Sequence, residues 1–130
     1  MEKRLNKAKL IELIESLNID LDEFWVLSSG SLVLRGLMDT AGDLDIAITQ
    51  KGLEQLKENF ALEQKANGWY RVNQNIECVL DEKDDYKVEK IGKYNVESLQ
   101  KYFDYLSDST REKDAVKYKI VKKVLTNRKK

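Results

Sequence analysis

The stretch from Trp25 to Thr49, WVLSSGSLVLRGLMDTAGDLDIAIT, decides how this chain folds. It opens with an apolar run that ends in small residues, and it closes with apolar residues at every second position from 44 to 48. Alternation with a period of two is typical of a β-strand with one apolar face. The other face of this strand holds two acids, Asp43 and Asp45. Two acids on one face of an otherwise apolar strand indicate that their carboxylates have a function.

Two carboxylates so placed are predicted to have Cβ atoms roughly 6 to 7 Å apart, close enough to share a divalent cation. Without a cation, like charges at that distance are unfavourable. The chain has no histidine and one cysteine, Cys78, which excludes Cys/His zinc sites and histidine acid–base chemistry. Oxygen ligands favour Mg²⁺, Mn²⁺ or Ca²⁺. Glu77, a lone acid in a later apolar strand, is the third candidate ligand.

The small residues Gly30 and Ser31 lie between the first strand and a short apolar helix predicted over 32–37. Glycine lets a backbone approach a phosphate closely, and the amides at the start of a helix favour an anion. The alternative is a plain turn. The pattern therefore predicts a phosphate site at Gly30 and Ser31, beside the paired acids.

Composition indicates one domain of a soluble, cytoplasmic protein. The 130 residues are 42% hydrophobic and 35% charged, and 23 basic residues balance 23 acidic ones. Zero net charge predicts no general attraction to nucleic acid or to an anionic membrane. No apolar run approaches the ~20 residues of a membrane span. The charged N-terminus does not resemble a signal peptide, and Cys78 is expected to be a small buried residue.

Periodicity predicts an α/β or α+β fold, a small mixed sheet flanked by helices. The core is expected over about 20–92 and a helical part over about 96–127. Helices are predicted at 3–17, 32–37, 50–60, 96–105 and 110–125, with strands at 24–27, 43–48, 69–72 and 75–80. Residues 86–96 are predicted as an edge strand broken at Gly92, and Ser109 is expected to cap the last helix.

The order of Leu27, Gly30–Ser31, eleven intervening residues and Asp43-Leu44-Asp45-Ile46 resembles the signature of the nucleotidyltransferase superfamily of the DNA polymerase beta type. The resemblance covers about residues 24 to 80. It implies transfer of a nucleoside monophosphate from a nucleoside triphosphate to RNA, a protein or a small molecule, with release of pyrophosphate. It also implies that Asp43, Asp45 and Glu77 are catalytic and hold Mg²⁺ or Mn²⁺.

The segment VESLQKYFDYLSDSTREKDAVKYKIV, residues 96–121, is similar to the helical tail of small bacterial members, including toxin and abortive-infection types. This similarity implies that four residues lie near the nucleotide: Lys101, Arg111, Lys113 and Asp114. Such relatives carry a basic residue shortly before the first aspartate, whereas residues 39–42 here have none. Arg35 is the expected substitute.

Two other functions are consistent with the sequence. One is an inactive binding module of the same fold, for instance a toxin–antitoxin component, with a partner protein or a second copy completing the cleft. The other is binding of nucleic acid by the basic C-terminal segment, which includes Lys117, Lys122 and Lys123. An ordinary solvated helix face also accounts for those lysines.

Overall fold

A computed structural model describes residues 4–82 and 87–128. Over these residues it contains five α-helices and seven strands of one mixed sheet. The helices are α1 (Lys7–Ser16), α2 (Ser28–Leu34), α3 (Gln50–Asn59), α4 (Leu99–Asp108) and α5 (Glu112–Arg128). The strands are β1 (Phe24–Val26), β2 (Leu44–Ile48), β3 (Glu63–Gln64), β4 (Tyr70–Asn73), β5 (Ile76–Leu80), β6 (Val88–Ile91) and β7 (Tyr94–Glu97). The predicted mixed sheet flanked by helices is confirmed.

The sheet has the strand order β3-β4-β5-β2-β1-β7-β6, so β2 lies at its centre. Strand β2 runs antiparallel to β1 and parallel to β5. In this register Asp45 of β2 is the neighbour of Glu77 on β5. Two of the predicted acids therefore meet because two apolar strands pair in parallel.

Side-chain oxygens cap three of the helices and fix where they begin. Asn6, Thr49 and Ser98 each accept a hydrogen bond from a backbone amide in the first turn that follows. The apolar faces of α1 and α3 pack with the central strands in the main core, through Leu10, Ile14, Leu53 and Leu56 among others. A second cluster joins α2, α4 and α5 through Leu32, Leu99, Tyr102, Leu106 and Val121.

Several elements differ from the sequence-based expectation. Helix α2 begins four residues early, at Ser28, so Gly30 and Ser31 lie inside its first turn. Residues 88–97 form a hairpin with Gly92 in its turn at a φ of +63°, which glycine tolerates; Tyr86 lies outside the described residues. The second strand of the hairpin extends to Glu97, past residue 96, where the next helix was expected to begin. Helix α4 therefore begins only after Ser98.

The last helix begins at Glu112, two residues after the expected start. The Ser109 hydroxyl donates to the Asp114 carboxylate at 2.6 Å and accepts from the Arg111 amide at 3.3 Å. This arrangement replaces the expected capping box. Within the part of the chain that the structure describes, no helix is long and apolar enough to cross a membrane.

Candidate active site

A cleft of about 420 Å³ lies where β2 begins. Its lining combines two acids, four basic side chains and small residues. The lining residues are Arg4, Ser28, Ser29, Met38, Gly42, Asp43, Asp45, Arg111, Lys113 and Lys117. Four of the predicted site residues line the cleft although they come from distant parts of the chain: Asp43, Asp45, Arg111 and Lys113.

The acids of the cleft come from the start of the central strand. Asp43 precedes β2 and is exposed, whereas Asp45 lies within β2 and is half-buried. Burial, together with the negative charges of Asp43 and Glu77, raises the pKa of Asp45 to about 6. Lys65 and Lys117 act in the opposite direction. The pair thus forms a negative centre that a cation would stabilise.

Glu77 is close to this centre but is already paired with basic side chains. Its two carboxylate oxygens accept hydrogen bonds of 3.0 and 2.9 Å from the Nζ of Lys65, and an Arg71 nitrogen lies 3.8 Å away. Glu77 does not line the cleft. In residues 4–82 and 87–128, no group of three acids or thiols is placed to hold one metal ion. Asp43 and Asp45 are the two acids of the cleft that could hold a cation.

The basic side chains reach the cleft from the start of α5 and from the N-terminal segment. Arg111, Lys113 and Lys117 line it from one end of α5, while Lys101 on α4 is exposed and lies outside it. Lys117 is the most buried of them, and burial lowers its pKa, with Lys113, Arg111 and Arg4 acting in the same direction. The half-buried ammonium group of Lys117 is therefore surrounded by other positively charged side chains.

Asp114 does not line the cleft but holds its cations in place. The side chain is 2% exposed and accepts hydrogen bonds from Ser109 and Arg111 at 2.6 and 2.9 Å, with the Lys117 Nζ 3.8 Å from its other oxygen. Burial acts to raise the pKa of Asp114, but these donors outweigh it and the pKa is lowered. Asp114 stays ionised and orients the two cations beside it.

The small-residue segment contributes Ser28 and Ser29 to the cleft, because α2 begins earlier than the pattern suggested. Gly30 and Ser31 follow in the same first turn and are buried. The Ser31 hydroxyl donates to the Ser28 carbonyl at 2.6 Å, and a Cβ on Gly30 would lie 2.9 Å from Val26. Gly30 thus allows α2 to pack on β1, and the helix start that faces the cleft is Ser28–Ser29.

Ser28 has an unusual backbone for a serine, with a φ of +54°. Its amide donates to a Glu97 carboxylate oxygen at 3.3 Å. Burial raises the pKa of Glu97 to about 7, with the Ser28 amide and then Lys101 and Arg35 acting in the opposite direction. Non-glycine residues in this region of φ are uncommon and tend to occur at functional sites.

Arg35 is placed away from the cleft. Its side chain is 5% exposed, and its Nη2 donates to Glu89 at 2.9 Å and to the Glu97 carbonyl at 3.0 Å. Because α2 begins at Ser28, Arg35 falls at the C-terminal end of the helix and turns toward the β6–β7 hairpin. The structure therefore places Arg35 outside the cleft, where it was expected to supply the missing basic residue.

Arg4 lines the cleft, although nothing in the sequence singled it out. The backbones of Leu5 and Ala41 exchange two hydrogen bonds of 2.8 and 2.9 Å, which fix the N-terminal segment on the loop before Asp43. The Arg4 guanidinium donates to Thr40 at 2.9 and 3.3 Å. This contact spans 36 residues. Only the three-dimensional pairing reveals it.

Comparison of the chain with protein-family models, with curated proteins and with solved structures finds no match in any of the three. The functional assignment therefore depends on the residues and geometry of the cleft.

Proposed function

We propose that this protein is a Mg²⁺- or Mn²⁺-dependent nucleotidyltransferase of the DNA polymerase beta type. It would transfer a nucleoside monophosphate from a nucleoside triphosphate to an acceptor hydroxyl or phosphate of RNA, a protein or a small molecule. The acceptor oxygen forms a bond to the α-phosphorus, the bond from that phosphorus to the β-phosphate oxygen breaks, and pyrophosphate leaves. The acceptor proton passes to solvent or to a carboxylate.

One observation carries the proposal: a single cleft brings together a carboxylate pair, four basic side chains and the start of a helix. Carboxylates select a cation, whereas basic side chains select an anion. A metal-bound polyphosphate is a ligand that presents both charges at once. The cleft volume of about 420 Å³ is within the range of small-molecule sites.

The residues of the cleft fit a magnesium ion. Mg²⁺ is usually held by one or two carboxylates together with substrate phosphates and water, so Asp43 and Asp45 suffice. When bound, the ion would neutralise negative charge on the phosphates during transfer. Asp45 must lose its proton to contribute, and Lys117 favours that loss. Arg111, Lys113 and Lys117 would orient the phosphate chain, with Asp114 holding Arg111 in place.

The test is label transfer from α-labelled nucleoside triphosphates. Purified protein is incubated with each of the four triphosphates, Mg²⁺, and either total cell RNA or cell protein. We expect label in one macromolecular fraction or release of pyrophosphate, and a loss of at least about 100-fold in Asp43→Asn and Asp45→Asn. Asp104→Asn, an exposed acid on α4, is the matched control and should retain activity. Equal inactivity of wild type and both variants would contradict the enzymatic proposal.

A second function, nucleotide or partner binding without turnover, is favoured by one specific observation. The third acid, Glu77, is occupied by Lys65 and lies outside the cleft lining. An inactive module would bind a triphosphate but release no pyrophosphate. Binding without turnover would identify this function, which fits a toxin–antitoxin component or a chain whose partner completes the cleft.

A further inference from the structure

We propose that Glu97 is a positioning residue of the cleft: its carboxylate holds the Ser28 backbone so that the hydroxyls of Ser28 and Ser29 face the phosphates of the nucleotide. The inference rests on the proposed function and deepens it, because it names the group that shapes one wall of the site. Glu97 would act through Ser28 and would not touch the nucleotide, since it does not line the cleft.

The pairing of β1 with β7 brings Glu97 to the cleft wall. Strand β7 ends at Glu97 and runs parallel to β1, so Glu97 lies beside the chain as it leaves β1. The Leu27 amide donates to the Asp45 carbonyl at 2.9 Å, and the next amide, that of Ser28, donates to a Glu97 carboxylate oxygen at 3.3 Å. The turn into α2 is therefore held on one side by the strand that carries Asp45 and on the other by Glu97.

The conformation of Ser28 is the second argument. Its φ of +54° is unfavourable for a serine and persists only where neighbouring groups hold the backbone. Ser28 and Ser29 both line the cleft, and within residues 4–82 and 87–128 neither hydroxyl has a hydrogen-bond partner. A serine hydroxyl can donate to a phosphate oxygen. This wall thus presents two unused donors on a backbone that needs an external hold.

Glu97 has no other partner that accounts for its carboxylate. In the described part of the chain, the Ser28 amide is its one hydrogen-bond donor, and no basic side chain forms an ion pair with it. Burial raises the pKa of Glu97 to about 7, against the opposing effects of the Ser28 amide, Lys101 and Arg35. Because an unfolded glutamate has a pKa of about 4.3, the ionised carboxylate opposes folding at neutral pH and above. A carboxylate kept at a cost in stability indicates a role other than stability.

The experiment measures binding of inorganic tripolyphosphate with Mg²⁺ to the full chain by calorimetry at pH 8, where Glu97 is ionised. We expect Glu97→Ala to weaken binding about tenfold, because Ser28 is released from its strained conformation. Glu97→Gln keeps an oxygen that can accept from the Ser28 amide and should bind within about threefold of wild type. The matched control is Glu89→Ala on β6. Glu89 pairs with Arg35 and Arg128, so its loss should lower the melting temperature and leave binding unchanged.

A double-mutant cycle with Ser28→Gly separates positioning from a general effect on folding. Glycine adopts a positive φ without strain, so Glu97→Ala should cost less than about threefold in a Ser28→Gly background. Glu97→Ala should stay folded at pH 8, where the charge that it removes opposes folding, and thermal unfolding checks this.

Four results would overturn the inference and leave the proposed function standing. They are wild-type affinity in Glu97→Ala, an equal loss in Glu89→Ala, the same loss with and without Ser28→Gly, and failure of Glu97→Ala to fold, which would make Glu97 a structural residue. No binding of tripolyphosphate or of any nucleoside triphosphate by the wild type would overturn both.

Discussion

Asp45 shows how a single ionisable residue of the cleft can lower the stability of the folded chain. Its carboxyl lies half-buried on the central strand, next to Asp43 and in register with Glu77. Burial and these two charges raise its pKa to about 6, far above that of an unfolded aspartate at about 3.9. The folded chain therefore keeps the proton to a higher pH than the unfolded chain. Ionised Asp45 opposes folding, and a bound cation would relieve that cost.

The substitution Asp45→Asn should therefore stabilise the metal-free protein while abolishing metal binding. Because the folded-state pKa is raised, the stabilisation by protonated Asp45 is complete below about pH 4 and is lost as the pH rises to about 6. At pH 8 we expect the variant to be more stable than wild type by on the order of 1 to 3 kcal/mol. Urea unfolding at pH 8 and pH 4 measures this. A variant less stable than wild type at pH 8, or a difference that does not change with pH, would argue against it.

Lys65 determines how much Glu77 contributes to the negative centre. Its ammonium group pairs with both Glu77 oxygens, and it also lowers the pKa of Asp45. Since Lys65 and Glu77 are both partly exposed, the ion pair is worth roughly 0 to 1 kcal/mol and a divalent ion can compete with it.

Removing Lys65 should strengthen metal binding at a pH where the acids are ionised. With Lys65→Met we expect Mn²⁺ to bind several-fold more tightly at pH 8, because Glu77 gains an unpaired charge beside Asp45. Titration of free Mn²⁺ by electron paramagnetic resonance gives the affinity. Lys51→Met, on the exposed surface of α3, is the control. An unchanged affinity would show that Glu77 has no influence on the ion.

At the scale of elements, the start of helix α2 explains a difference in how well the segment Ser28–Ser31 was predicted. Its place between a strand and a helix was predicted, whereas the groups that it contacts were not. The pattern of small residues between two apolar runs predicted a strand, a tight turn and a helix, and that order is observed. The start of the helix was set instead by the Ser28 backbone, with its φ of +54° and its bond to Glu97. That bond joins residues 69 positions apart. Local sequence patterns carry no information about it.

Gly30 is expected to be a packing residue, and a double substitution tests this. A Cβ at residue 30 would lie 2.9 Å from the Val26 Cγ1, closer than a methyl group tolerates. Gly30→Ala should therefore cost about 1 to 3 kcal/mol of unfolding free energy. In a Val26→Ala background the cost should shrink, because the clashing methyl is gone. Denaturant unfolding of the four proteins gives the coupling energy. Additive effects would contradict a direct clash.

At the scale of the whole molecule, the cleft forms where three distant parts of the chain meet. The central sheet supplies the acids, the N-terminal segment supplies Arg4, and the start of α5 supplies the other cations. The second apolar cluster fixes α5 relative to α2, and the Leu5–Ala41 pairing fixes the N-terminal segment. Folding thus brings together charges of opposite sign that lie more than sixty residues apart in sequence.

The sequence predicted Asp43 and Asp45, and also Arg111 and Lys113, but not the remaining cations that line the cleft. Alternation along one strand placed Asp43 and Asp45 together, and two apolar strands were enough to suggest that Glu77 lies beside them. Arg35 was expected near the phosphates but lies outside the cleft, and Arg4 lines it without having been expected there, because tertiary pairing and not local periodicity determines where these side chains lie. Salt bridges such as Lys65–Glu77 likewise cannot be predicted from local sequence, because they form only when β3, β4 and β5 pair.

The central claim is that Asp43, Asp45 and the cations of the cleft together bind a metal-bound nucleoside triphosphate. Its most direct test is thermal unfolding of the wild type with each of the four triphosphates, in Mg²⁺ and in chelator. We predict a rise in melting temperature with at least one triphosphate, present only with Mg²⁺ and absent in the double variant Asp43→Asn/Asp45→Asn. If no triphosphate raises the melting temperature of the wild type in Mg²⁺, or if the double variant shows the same rise, the account is contradicted.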